Sequence, residues 1–290
     1  MVEFNTVPLK ARKSAPVARK DAAAENFPVA SHLVPKHLRP HVVAFYRFLR
    51  LGDDIADDPD LEPETKLAYL DALERALTTG EARHAYLKPA LDLQASLAAC
   101  GVSDRYARHV LRAFRRDAVG LRCHSWNDLL LYCRFSANPV GRYMLELHGE
   151  GQTATMASDA LSSALQVLNH IQDCRNDWIE LGRCYIPLNF FEDEGISMER
   201  LVETESDAKL RAIFDRTLDH VDRLLERAAP LASQIQHRGL RLEAAVIYSL
   251  AESLALRLRT RDPLKDRVSL RTHHKFYAVA RGVLRGLGGR

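Results

Sequence analysis

From Leu38 onward, apolar residues return at three- and four-residue spacing, beginning with Leu38, Val42, Phe45, Tyr46 and Leu49. This predicts a helix that runs until Pro59 forces the residue before it out of helical geometry. Similar patterns predict helices near 64–78, 86–99, 103–119, 126–149 and 152–181, then near 197–202, 206–229, 231–260 and 268–287, with short Gly, Pro or Ser breaks between them. No stretch alternates apolar and polar residues with β-branched enrichment, so the pattern lacks strands. The expected class is all-α. No linker composition divides the chain and no solenoid-length period recurs, so one domain of packed helices is expected. Residues 1–24 break the pattern. They carry Lys10, Arg12, Lys13, Arg19 and Lys20 with little periodicity and are expected to form a basic flexible arm.

Composition narrows the classes. Hydrophobic residues at 47% and charged residues at 27% fit a soluble globular chain and exclude a membrane-embedded or disordered one. The formal charge of +3 is too small to make nucleic acid the main partner. Five cysteines, with no C-x-x-C spacing, indicate neither a zinc site nor a disulfide framework and suit a reducing cytoplasm. No charge-free run is long enough to span a bilayer, and no secretory h-region opens the chain.

Two helix ends depart from the amphipathic pattern. In the first, Asp53 and Asp57 lie at i and i+4, and Asp54 and Asp58 repeat that spacing one residue on. In the second, Asn169, Asp173 and Asp177 lie at i, i+4 and i+8, which stacks three oxygen donors along one face. A helix C-terminus disfavours negative charge by about 0.3–1 kcal/mol per group, so a compensating cation is expected at each end. A lone D-x-x-x-D is more often a solvated helix end. The recurrence of the arrangement, with Arg50 beside one end and Arg183 beside the other, favours metal binding instead. Hard oxygen donors suit Mg²⁺ shared with a diphosphate, and neither segment resembles a calcium loop. No phosphate-binding Gly-rich loop accompanies them.

Three ordered motifs then resemble a known family, the head-to-head isoprenyl diphosphate synthases that include squalene and phytoene synthases. They are Tyr46-x-x-x-Arg50-x-x-Asp53-Asp54-x-x-Asp57, Tyr132-Cys-Arg-Phe-Ser136-Ala-Asn-Pro-Val-Gly141, and Gln166-x-x-Asn169-x-x-x-Asp173-x-x-x-Asp177 followed by Arg183 and Tyr185. The resemblance covers nearly the whole chain from about Glu25. It implies an isoprenoid synthase domain over 25–290, a single helical domain around a central cavity. Asp53, Asp54, Asp57, Asn169, Asp173 and Asp177 are then the expected metal set. Asp53, Asp57, Asp173, Asp177 and Tyr46 are the expected catalytic residues, and Arg50, Asn138, Gln166, Arg183, Tyr185 and Arg267 are expected to contact substrate. Without the resemblance, Tyr46 is a core residue, Asn138-Pro139 is a helix kink and Arg267 is an ordinary surface arginine.

Within the family, Glu25-Asn-Phe-Pro-Val-Ala-Ser31 and Ser136-Ala-Asn-Pro-Val-Gly-Arg142 look most like the hydroxysqualene-forming branch of hopanoid synthesis. Asn26-Phe27 stands where phytoene and dehydrosqualene synthases carry a polar His-Ser-x-Ser-Phe type motif. The resemblance therefore implies Mg²⁺-dependent conversion of ready-made presqualene diphosphate and water to hydroxysqualene and diphosphate. The alternatives are formation of squalene, dehydrosqualene or presqualene diphosphate from farnesyl diphosphate, and a non-catalytic isoprenoid-binding scaffold. Hopanoid-pathway enzymes are implied partners. A C30 substrate and product also imply exchange with a bilayer, so a cytoplasmic protein with peripheral contact at the inner membrane face is expected. The basic arm, with Arg281, Arg285 and Arg290, would supply the attraction.

Overall fold

The structure, a computed structural model, describes residues 33–265, 268–270 and 272–288. The expected basic arm, the 25–31 run, Arg267 and Arg290 lie outside the described residues.

The first predicted helix forms as α1 (Arg39–Asp57), opened by Pro40 and burying Val42, Phe45, Phe48, Leu51 and Ile55. It is followed by α2 (Pro63–Thr79), α3 (Lys88–Cys100) and α4 (Arg105–Ala118). These four helices enclose a core of their own, joined by Tyr143, whose ring stacks on Phe45 at 3.9 Å. Gly52 permits the closest approach of α1 to α4, because a Cβ there would lie 2.7 Å from the Phe114 ring. The acidic end of α1 begins at the next residue.

A second core surrounds α7 (Thr155–Leu181), with α5 (Trp126–Ser136), α9 (Ala208–Ala228) and α11 (Arg238–Thr260) packed about it. The predicted 126–149 helix is two helices, because Pro139 opens α6 (Asn138–Leu147) at the bend after α5. Gly141 lets α6 lie against α7: a Cβ there would lie 2.5 Å from Ser158 Oγ. The predicted 231–260 helix also divides, into α10 (Leu231–Gln234) and α11, with Ile235 extended between them. The starts of the predicted 86–99 and 152–181 helices and the predicted 197–202 helix are tighter turns, since 3-10 geometry covers Ala85–Leu87, Gln152–Ala154 and Met198–Val202.

One helix escaped the pattern. The short α8 (Leu188–Asp193) follows Pro187 and anchors through Phe190 and Phe191, and six residues are too few to display a period. The chain closes with α12 (Thr272–Gly288), where Gly282 lies so near α11 that a Cβ would stand 2.5 Å from Val246 Cα. Among the described residues there is no strand, as expected for an all-α single domain. None of their helices is long and apolar enough to cross a membrane.

Candidate active site

The C-terminal turns of α1 gather three of the predicted carboxylates with their arginine. Arg50 lies one turn before the acids, so its guanidinium reaches back along the helix and donates to Asp53 Oδ2 at 2.8 Å and Asp54 Oδ1 at 3.0 Å. Asp54 is nearly closed off, with 8% of its side chain exposed, against 36% for Asp53. Loss of water in this crowded turn pushes the Asp53 carboxyl up to about 7. Repulsion from Asp57, Asp54 and Asp117 adds to the rise, and Arg50 opposes it. Tyr46, one turn earlier on the same helix, is half-buried.

The second acidic end is built by the long α7. Asn169, Asp173 and Asp177 are all half-buried, as one face of a helix requires. Gly182 ends the helix in a left-handed conformation, with φ of 63°, and its N–H bonds Trp178 O at 3.0 Å. The next N–H, of Arg183, bonds Asp177 O at 3.1 Å. From there the Arg183 guanidinium crosses to the other acidic end, where it donates to Asp57 Oδ1 and, at 2.8 Å, to Ala56 O. This one side chain ties the tip of α7 to the tip of α1. Burial alone would lower its pKa, but Tyr185, Asp57 and Asp117 outweigh that and hold it cationic.

Behind this mouth lies a buried polar cluster that the sequence pattern does not announce. Asp117, at the end of α4, is 7% exposed and accepts from Tyr132 at 2.8 Å and from Tyr185 at 3.1 Å. Desolvation raises its carboxyl to about 6, with a contribution from Asp57, against the pull of Arg183 and the two phenols. His170 stacks on Tyr185, with ring centroids 3.8 Å apart and planes 16° apart. Burial, reinforced by the Arg183 charge, drives its pKa down to about 3, so the imidazole is neutral. Gln166, one turn earlier on α7, donates to its Nε2 at 3.3 Å.

Of the predicted residues, these contacts link Arg50, Asp53, Asp54, Asp57, Arg183, Tyr185 and, through His170, Gln166, while Asn138 sits elsewhere. Its buried side chain bonds Ser163 Oγ at 2.9 Å and, with the amide turned over, also Cys133 O and Asp159 O, which knits the bend between α5 and α6 to α7. Arg267 lies outside the described residues. Asp117, His170 and Lys66 were missed. Lys66, in the first turns of α2, is half-buried, and burial together with the Arg183 charge lowers its pKa, against Asp57, Asp58 and Glu62. A lone Asp, His or Lys inside a helical pattern carries no spacing signal. Tyr132 was visible only as the first residue of a motif.

The donor set suits a hard divalent cation. It consists of carboxylates and an amide, the oxygen donors that such a cation prefers. Among the described residues, no group of three or more His, Cys, Asp or Glu side chains stands ready to hold an ion alone. A cation here would complete its shell with water and ligand oxygens, as Mg²⁺ commonly does.

A helical domain with two acidic helix ends joined by an arginine defines a diphosphate-handling class, and comparison with known proteins gives it a family. Residues 20–274 match the squalene/phytoene synthase family, and the chain belongs to it. It is 41% identical to the hydroxysqualene synthase of Sinorhizobium fredii over 251 residues, 85% of this chain and 83% of that protein. The hydroxysqualene synthase of Rhodopseudomonas palustris is 42% identical over 248 residues, 85% of this chain and 84% of that protein. Among solved structures, a squalene synthase, HpnC, from Alicyclobacillus acidocaldarius superposes with a TM-score of 0.69 at 31% identity, covering 80% of this chain and 87% of that one.

Proposed function

We propose that this chain is a hydroxysqualene synthase that converts presqualene diphosphate and water to hydroxysqualene and diphosphate. The observation that carries the reading is Arg183, which reaches from the end of α7 to Asp57 and Ala56 O of α1 and so links two motifs far apart in the sequence. Relatives named hydroxysqualene synthase, 37–42% identical, support the choice of substrate.

Asp53, Asp54 and Asp57 from α1, with Asn169, Asp173 and Asp177 from α7, would hold Mg²⁺. When bound, the ion supplies Lewis-acid stabilisation of the departing diphosphate. Arg50 and Arg183, now on carboxylates, exchange those partners for diphosphate oxygens and share the charge that develops as the C–O bond breaks. Lys66, at the foot of α2, adds a third cation beside Arg183. Arg267 serves the same end.

Ionisation leaves a cyclopropylcarbinyl cation that rearranges on the interior side of the mouth. The Tyr46 ring offers a π-face to it, Tyr185, stacked on His170, keeps the lining beside it in place with Gln166 and Asn138, and the dry surroundings exclude all but the captured water. Hydroxysqualene, almost insoluble in water, leaves for a bilayer. The basic arm and the arginines of α12 draw the protein there, without a spanning helix.

Pure protein incubated in Mg²⁺ with presqualene diphosphate or farnesyl diphosphate, with and without NADPH, separates the readings by the lipid extract. Hydroxysqualene from presqualene diphosphate without NADPH is expected. Squalene formed only with NADPH would overturn the proposal.

A further inference from the structure

The cluster behind the acidic mouth holds one polar atom that the protein leaves without a partner. His170 is 5% exposed, stacked on Tyr185 and 5.8 Å from the Tyr132 ring centre. Gln166 donates to its Nε2, which places the ring proton on Nδ1, and Nδ1 meets no acceptor. Buried N–H groups nearly always have a partner, frequently a bound water. The position is apt for one. Both rings next to His170 belong to tyrosines whose hydroxyls are committed to Asp117, so neither can turn to satisfy Nδ1. Arg183, which pairs with Asp57 at the mouth, is close enough for its charge to act on the same imidazole. His170 therefore lies among aromatic rings directly behind the charged mouth.

We propose that His170 is the residue that holds the water captured by the rearranged carbocation, and that it thereby decides that the product is an alcohol. This deepens the hydroxysqualene synthase reading and rests on it. The C–O bond of the substrate breaks with its electron pair leaving on diphosphate. One lone pair of the held water then forms the new C–O bond, a second lone pair accepts from Nδ1–H, and the released proton passes to a diphosphate oxygen. The imidazole never changes charge. With no water at Nδ1, the same cation can lose a neighbouring proton instead and become a hydrocarbon with one more double bond.

The test compares wild type with His170→Phe and His170→Asn on presqualene diphosphate in Mg²⁺, measuring diphosphate release and the ratio of C30 alcohol to C30 hydrocarbon. Phe keeps the stack on Tyr185 and removes both nitrogens, whereas Asn keeps an N–H donor. The alcohol share of His170→Phe is expected to fall about tenfold or more, with hydrocarbon in its place and diphosphate release within about threefold of wild type. His170→Asn should recover part of the alcohol. A merely structural residue would lower release and leave the ratio alone, and that result, or a wild-type alcohol share in His170→Phe, overturns the proposal. If circular dichroism shows that His170→Phe does not fold, His170→Leu is judged by the same ratio. A wild-type enzyme that makes no alcohol removes the underlying reading and this inference together.

Discussion

The acidic mouth and the aromatic cluster behind it handle charge in opposite ways. At the mouth, Asp53, Asp54 and Asp57 crowd one helix end, and two arginines answer them through direct ion pairs. Within the cluster, the single carboxylate of Asp117 is answered by two neutral phenols, and a neutral imidazole completes the group. Charges that are paired but still partly exposed can trade partners, which a site that admits and releases a diphosphate must allow. Groups that are buried and neutral hold fixed positions in a low dielectric, where a carbocation would otherwise meet stray nucleophiles. One region is suited to moving ions and the other to keeping water scarce.

The sharpest way to break this comparison is to remove charge from the mouth. Asp53→Asn and Asp177→Asn should each lower turnover about a hundredfold or more. Folding should be unaffected or slightly improved, because like charges at a helix C-terminus are relieved. Diphosphate release and a thermal melt measure the two effects. A variant that unfolds while its folded fraction keeps full activity would make that acid structural.

Arg183 comes next, since it serves both acidic ends. Its side chain is 11% exposed and that of its partner Asp57 is 34% exposed, so the pair is partly screened. Arg183→Gln should cost about 1–3 kcal/mol in urea denaturation. Arg183→Lys should restore the charge without the fork that reaches Asp57 and Ala56 O together, and should fall in between. Equal losses in the two variants would mean that geometry, not charge, is what the mouth requires.

The two regions also differ in how much of them the sequence pattern reveals. The mouth was legible because its acids recur at one-turn spacing on single helices, and such spacing fixes a common face whatever the tertiary structure. The all-α class was legible for the same reason. The aromatic group was not legible as a cluster, although Tyr132 and Tyr185 stand in the motifs, because Asp117, Tyr132, His170 and Tyr185 come from α4, α5, α7 and the segment after it, and only packing brings them together. The helix break at Ile235 was blurred because apolar periodicity continues across a bend when both sides face one core, whereas Asn138-Pro139 marked the bend after α5.

A smaller effect is expected from pH. Asp53 and Asp117 have folded-state pKa values raised to about 7 and about 6, above the ordinary value of 3.8. Between those limits these two carboxyls bind more protons in the folded protein than in the unfolded one, so without Mg²⁺ they make stability fall as pH rises from about 4 to 7, while buried His170, with its pKa driven down to about 3, acts in the opposite direction. Urea denaturation at pH 5 and pH 8 reads the slope, and Asp53→Asn should shift it toward stability that rises with pH. A pH dependence that is the same in wild type and Asp53→Asn would contradict the crowding assigned to the mouth.

The central claim is that the mouth only removes diphosphate while the interior delivers one water to a rearranged carbon. Reaction of presqualene diphosphate in ¹⁸O-labelled water tests it most directly. The account predicts hydroxysqualene with the label in its hydroxyl group and diphosphate that carries none. An unlabelled alcohol that retains the presqualene skeleton would mean cleavage between phosphorus and oxygen, and would contradict it.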